Sequence, residues 1–263
     1  MNKITTVFYR NNTAESIHNI KCIISDDKGR VIYSTGNDND FIYPRSSIKI
    51  FQAIPFILSG STNKYLLNDK QIALSCASHR GQKFHINELS KWIKKLKINK
   101  SSLQCGIHYP LNKEAYSEIV RSKKKINVLY NNCAGKHLAM ITSCCCKGYE
   151  IENYLDFNHP HQRDIRKVFN DFTESKIKFK NYGVDGCSAP QYSFKMKDLS
   201  KALNNLFKSY HNKFHYRDET QLLIKSILTN PKFIGGTDSL DSKIMSISDK
   251  KIFCKGGAEG VFL

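Results

Sequence analysis

The chain has 263 residues, enough to bury a large core as one α/β unit or two small ones, and its 40% hydrophobic and 11% aromatic content is that of an ordinary globular protein. It holds no run of about 18 apolar residues, so no membrane span is expected. The net charge of +18 comes from 33 lysines and 8 arginines against 23 acidic residues. The lysines are spread along the chain without an RNA- or DNA-binding motif, so most belong to solvated faces and no specific nucleic-acid partner is expected.

The N-terminus Met1-Asn2-Lys3-Ile4 lacks an apolar leader core and runs directly into a strand-like segment, which points to a cytoplasmic protein. Nine cysteines, an odd number without a secretory signal, argue against a disulfide framework. Residues 5–9, 20–25 and 31–34 read as strands, with Asn11-Asn12 and Asp26-Asp27-Lys28-Gly29 as turns and residues 15–18 as a polar lead-in. This antiparallel meander precedes Arg45-Ser46-Ser47-Ile48-Lys49, which opens an apolar helix through Leu58 and stops at Ser59-Gly60.

Helical patterns then follow over residues 69–75, 85–97, 113–121, 138–146, 162–172, 199–210 and 220–228. The apolar period over 138–146 makes Cys144-Cys145-Cys146 core. Residues 181–190 and 231–238 read as loops, and a late strand-like stretch ends in Lys255-Gly256-Gly257-Ala258-Glu259-Gly260. Strands, then many helices, then a late strand give an α+β (mixed) fold in one domain over residues 1–263.

Ser46-x-x-Lys49 places a hydroxyl and an amine on one face of a helical turn. A buried amine can take the hydroxyl's proton and leave a nucleophile, although the same four residues also describe a helix cap with a solvated lysine. Three glycine-punctuated polar loops add reactive side chains: Ser78-His79, Asn131 to His137, and Gly183 to Cys187.

With Glu15-Ser16-Ile17-His18, Pro44-Arg45-Ser46-Ser47-Ile48-Lys49, Cys76-Ala77-Ser78-His79, Asn131-Asn132-Cys133-Ala134-Gly135-Lys136-His137, His159-Pro160, Asp185-Gly186-Cys187-Ser188 and Lys255-Gly256-Gly257-Ala258-Glu259-Gly260, the chain resembles the rhizobial-type L-asparaginase II family from Arg10 to Gly260. The resemblance implies a serine-β-lactamase-like fold, an antiparallel sheet flanked by helices. It also implies hydrolysis of L-asparagine to aspartate and ammonia, and a homodimer. By motif match it implies two Ser–Lys pairs, Ser46 with Lys49 and Ser78 with Lys255. It further implies a zinc site of Cys133, Lys136 and Cys187. The family normally continues past Ala-Glu-Gly, so a C-terminal segment that could complete the sheet is expected to be missing.

The chemistry has its own logic. A lysine crowded by a second cation and partly desolvated loses its proton more easily, so Lys49 and Lys255 close together would supply a base. Arg45 could fork onto the substrate α-carboxylate or brace its loop through a salt bridge. His79 and His137 are candidates for substrate contact or loop support. Two thiolates suit zinc, a lysine ligand must first lose its proton, and Asp185 could steady a ligand by a hydrogen bond. A glutaminase, a penicillin-recognising serine hydrolase and an inactive zinc-binding relative are the alternatives. The first differs by one methylene of substrate. The second shares Ser-x-x-Lys but expects a Lys-Thr-Gly that is absent here.

Overall fold

The computed structural model describes residues 4–263; the leader reading rests partly on residues 1–3, which lie outside the described residues. The chain opens with two antiparallel hairpins. β1 (Ile4–Arg10) pairs with β2 (Thr13–Ile20), and β3 (Cys22–Ser25) pairs with β4 (Val31–Thr35). The polar stretch expected to lead into the second strand is therefore itself strand. Among the described residues neither edge of the first hairpin is paired, and most of its side chains are exposed, so a polar sequence suits it.

β5 (Phe41–Ile42) leads to a 3-10 turn, Arg45–Ile48, and then to α1 (Lys49–Leu58). Every residue of α1 from Lys49 to Phe56 is buried, which explains why its sequence is an apolar run without an exposed stripe. After it come α2 (Ser61–Lys64), α3 (Asp69–Ser75), α4 (Lys83–Leu96), α5 (Lys113–Ser122), α6 (Ala134–Lys147) and α7 (Pro160–Thr173). α1 packs on α6, α7 and α9 (Arg217–Thr229); Phe51 meets Phe169 and Phe172, and Phe56 meets Trp92. The Trp92 indole N–H donates to Thr142 Oγ1 at 3.0 Å, so the largest core side chain leaves no polar atom unsatisfied.

Asn68 caps α3 through a capping box with Gln71, and Asn112 caps α5. Gly135 lets α6 approach α3 closely: a Cβ there would stand 2.1 Å from the Leu74 carbonyl oxygen. No longer side chain fits at that crossing.

The expected loop at 181–190 contains a small hairpin, β6 (Tyr182–Val184) with β7 (Pro190–Tyr192), and β8 (Phe194–Lys195) pairs back to β5. α8 (Met196–Tyr210) precedes α9. The expected loop at 231–238 holds the short helix α10 (Lys232–Gly235), and α11 (Leu240–Ile247) follows. The late strand is reduced to a turn-back in which Lys255 and Leu263 exchange backbone hydrogen bonds at 2.7 and 3.1 Å, beside an isolated bridge between Gly256 and Phe262.

The fold is α+β, as expected, and all its ladders are antiparallel. Among the described residues the pairing is divided into four two-stranded sheets rather than one. β5 to β8 are only two or three residues long, too short to extend a common sheet, and helices supply most of the core. No helix among the described residues is long and apolar enough to cross a membrane.

Candidate functional site

Of 33 lysines, Lys49, Lys136 and Lys255 are the buried ones among the described residues, at 1%, 2% and 3% exposure. Burying an ammonium is costly unless it is paired or discharged. All three fall in the motifs singled out from the sequence.

Lys49 enters at the start of α1 with its amine against the loop after α3. Its Nζ lies 3.1 Å from Ser78 Oγ, donates to the Ala77 carbonyl oxygen, and lies 3.3 Å from Cys133 Sγ. The hydroxyl bonded to Lys49 is thus Ser78 and not Ser46. Ser46 is half-buried, and its Oγ has no hydrogen-bond partner among the described residues. Ser78 is half-buried too, and its N–H donates to the Ile234 carbonyl at 2.8 Å. That bond ties the serine loop to α10.

Lys255 is held by the turn-back at the chain's end. Its Nζ donates to Asp241 Oδ2 at 3.1 Å and to the Gly256 carbonyl at 2.9 Å, so its partner is a carboxylate on α11 rather than Ser78. Burial pushes the Lys255 amine below the usual lysine range. Asp241 pulls it up, and the nearby charge of Lys49 pushes it down again. The charge of Lys49 is thus felt at Lys255. Gly257 makes the approach possible: a Cβ there would stand 2.7 Å from the Pro44 carbonyl oxygen and 3.4 Å from Arg45 Cβ.

The expected metal ligands also come together. Cys133 immediately precedes α6, Lys136 lies on its first turn, and Cys187 comes from the β6–β7 loop. Lys136 Nζ donates to Cys187 Sγ at 3.1 Å. The contact with the Cys133 thiol pulls Cys187 far down, assisted by the Lys136 ammonium against the effect of burial. The same contact, together with burial, pushes Cys133 well up. Lys136 stands as counter-ion to the Cys187 sulfur. Burial lowers the Lys136 amine, but the Cys187 thiolate outweighs it and holds the group charged.

Does this set fit a metal? Among the described residues no group of three or more His, Cys, Asp or Glu side chains is placed to hold one. The set has two such residues and a lysine. The buried His137 ring lies beside Cys187, and its Nε2 has no hydrogen-bond partner within normal distance among the described residues. The Tyr154 hydroxyl accepts the Gln104 N–H at 3.0 Å and shares a hydrogen bond with His137 Nδ1 at 2.5 Å. Two soft sulfurs and an amine in a water-excluded site are a donor set that suits zinc.

The remaining candidates make their contacts within the protein. Among the described residues the Asp185 side chain makes no hydrogen bond to Cys133, Lys136 or Cys187. It accepts from Arg45 Nε and Nη2 at 3.0 and 2.8 Å and from the Gly186 N–H. Arg45 is thereby bound to the Cys187 loop, and its other amine faces the exposed Glu259 at 3.6 Å. Arg45 and Ser188 both adopt left-handed backbone, at φ 53° and 66°, on either side of this ion pair. Such strain persists where surroundings over-determine it. His79 and His137 are wholly buried. His79 Nδ1 accepts the Gly81 N–H, and its ring stacks on His85 at 5.1 Å.

Sequence reasoning missed Asp241, which carried no motif. It also missed Tyr154 and the Lys49–Cys133 contact, which only tertiary packing creates. A hydroxyl against one buried amine, with a second buried amine nearby, is an arrangement that can attack a carbonyl and return a proton to a leaving group.

The L-asparaginase II family model matches residues 6–263, and the chain belongs to that family. No curated protein matches it.

Proposed function

We propose that the protein hydrolyses the side-chain amide of L-asparagine to L-aspartate and ammonia, with Ser78 and Lys49 at the reacting bond. The observation that carries this reading is the 3.1 Å contact of a buried lysine amine with a half-buried serine hydroxyl, in a chain of this family. With Lys49 unprotonated, the Ser78 O–H donates to it. Ser78 Oγ then attacks the carboxamide carbon, its proton passes to Lys49, and Lys49 returns a proton as ammonia leaves. A water molecule cleaves the resulting aspartyl ester and regenerates Ser78.

Ser46 is the second hydroxyl of the site, free to hydrogen-bond substrate or relay a proton. Arg45, steadied by Asp185, offers its outer face to the substrate carboxylate. Cys133, Lys136 and Cys187 would hold zinc, with Lys136 giving up its proton. Zinc there would supply a fixed positive charge and tie the Cys187 loop to α6. His79 and His137 support these loops from within the core. A homodimer and a cytoplasmic setting complete the proposal.

The test is ammonia release from L-asparagine and L-glutamine, alongside nitrocefin turnover, by wild type, Ser78→Ala and Ser46→Ala. Release from asparagine that collapses in Ser78→Ala supports the reading. Full activity in Ser78→Ala with loss in Ser46→Ala moves the nucleophile to Ser46. A preference for glutamine, or nitrocefin turnover without ammonia release, overturns the substrate.

A further inference from the structure

The buried lysines of the site differ in what neutralises them. Lys136 faces the Cys187 sulfur, Lys255 faces Asp241, and Lys49 contacts a carbonyl, a hydroxyl and a thiol. Asp241 is itself 5% exposed. Its Oδ1 accepts the Ser242 N–H at 2.9 Å at the start of α11, and its Oδ2 accepts both Lys255 Nζ at 3.1 Å and the Gly256 N–H at 3.3 Å. It thus grips Lys255 by the side chain and by the next backbone N–H together.

The turn that carries Asp241 is also locked to the serine loop. A Cβ on Gly235 would stand 2.2 Å from Ser239 Oγ and 2.7 Å from Asp241 Oδ1, so only glycine lets α10 seat there. The neighbouring Ile234 carbonyl is the one that takes the Ser78 N–H. Ser78, α10, Asp241 and Lys255 therefore form one continuous packed unit.

We propose that Asp241 is a positioning residue for amide hydrolysis, fixing Lys255 as the permanent ammonium of the site so that Lys255 contributes charge and not proton acceptance. The proposal rests on the asparagine-hydrolysis reading and deepens it. It reassigns the lysine that motif matching had paired with Ser78. A preorganised cation in a water-excluded site stabilises negative charge that develops in the reaction, at no cost of reorganisation when it forms.

The groups facing Lys255 set its charge. Asp241 comes from α11, Lys49 from α1, Cys76 follows α3, and Cys254 precedes Lys255 itself. Burial holds the two thiols at about 12 and about 11, so neither is an anion in the working range. Asp241 is then the main group opposing burial and Lys49 at Lys255. Burial pushes its own carboxyl up, but Lys255 and the surrounding hydrogen bonds outweigh that and keep it below the usual range.

The experiment is the pH profile of kcat/KM for asparagine in wild type, Asp241→Asn and Asp241→Glu. With the carboxylate gone, Lys255 loses its proton at lower pH. The alkaline limb is expected to move down by a pH unit or more in Asp241→Asn and to return toward wild type in Asp241→Glu. An unmoved profile, or movement of the acid limb instead, overturns the proposal. A wild type that releases no ammonia overturns the functional reading first.

A second measurement needs no folded Asp241 variant. Lysine Nζ resonances of 15N-lysine-labelled wild type are titrated, with the Lys255 signal identified by its loss in Lys255→Arg. Lys255 should stay an ammonium throughout the pH range of asparagine turnover. Loss of its proton within that range overturns the proposal whatever the variants do.

Discussion

The Lys49 amine touches Ser78 Oγ at 3.1 Å and Cys133 Sγ at 3.3 Å, so one side chain joins the reactive hydroxyl to the thiol cluster. Lys49→Met keeps the buried aliphatic stem and removes the amine. Asparagine turnover should fall by about 10²–10⁴-fold, the usual span for loss of an acid–base group, while the unfolding temperature changes little. Lys49→Arg should not recover the rate, because a guanidinium does not give up its proton. Ammonia release with parallel thermal melts checks both, and a Lys49→Met enzyme within threefold of wild type would exclude Lys49 from proton transfer.

Gly257 should matter more for activity than for stability. Its missing Cβ lets the Lys255 segment lie on the Pro44–Ser47 turn, with Pro44 O only 2.7 Å from where that carbon would be. Gly257→Ala must push the segment away, and a displacement of even about 1 Å can cost on the order of 10²-fold in rate. Gly260→Ala is the control. It meets nothing within 4 Å but sits at φ +71°, so it should cost about 1 kcal/mol of stability and leave turnover nearly intact. Equal activity in the two variants would remove the close approach from the account of the site.

The sequence made the long helices readable because α4, α7 and α8 each carry an apolar stripe at helical spacing. It also made Ser46, Lys49, Ser78, Cys133, Lys136, Cys187 and Lys255 visible as motif residues. The partners were hidden. A shared helical turn brings the bases of Ser46 and Lys49 side by side, but a four-carbon stem reaches past that to Ser78, and only the packing of α1 against the loop after α3 decides which hydroxyl it meets. Asp241 was invisible for a similar reason: it lies 14 positions from Lys255, on a short helix with a weak pattern. The small hairpin at 182–192 was hidden because three-residue strands carry too little alternation to register.

Metal loading should track the sulfurs. Purified protein is expected to carry about one zinc per chain, and Cys187→Ser should lose it, since serine offers no soft thiolate. Cys133→Ser should lose it too. The asparagine rate should fall less in these variants than in Lys49→Met, because the proposed proton transfers run through Ser78 and Lys49. Elemental analysis alongside ammonia release separates the effects. Zinc retained in both serine variants would place the metal elsewhere.

Acid should weaken the fold in a window set by histidines before carboxylates are reached. His79, His85, His137 and His161 are buried, and burial pushes each below the usual histidine range, to about 4 for His85 and about 3 for His161. The folded state therefore refuses protons that the unfolded chain takes up below about pH 6.5. Stability should be greatest above that value and fall as the pH drops toward 4, with His85 alone accounting for about 3 kcal/mol by the end of its range. Lowered carboxyls such as Asp171 and Glu88 act in the same direction but only below about pH 4, where the unfolded chain begins to protonate them. His161 gives the cleanest test, because among the described residues neither of its ring nitrogens has a hydrogen-bond partner. His161→Phe removes the titration without stranding a neighbour, so it should raise the melting temperature at pH 5 and flatten its slope between pH 6.5 and 4. An unchanged slope in that variant would take His161 out of the acid response.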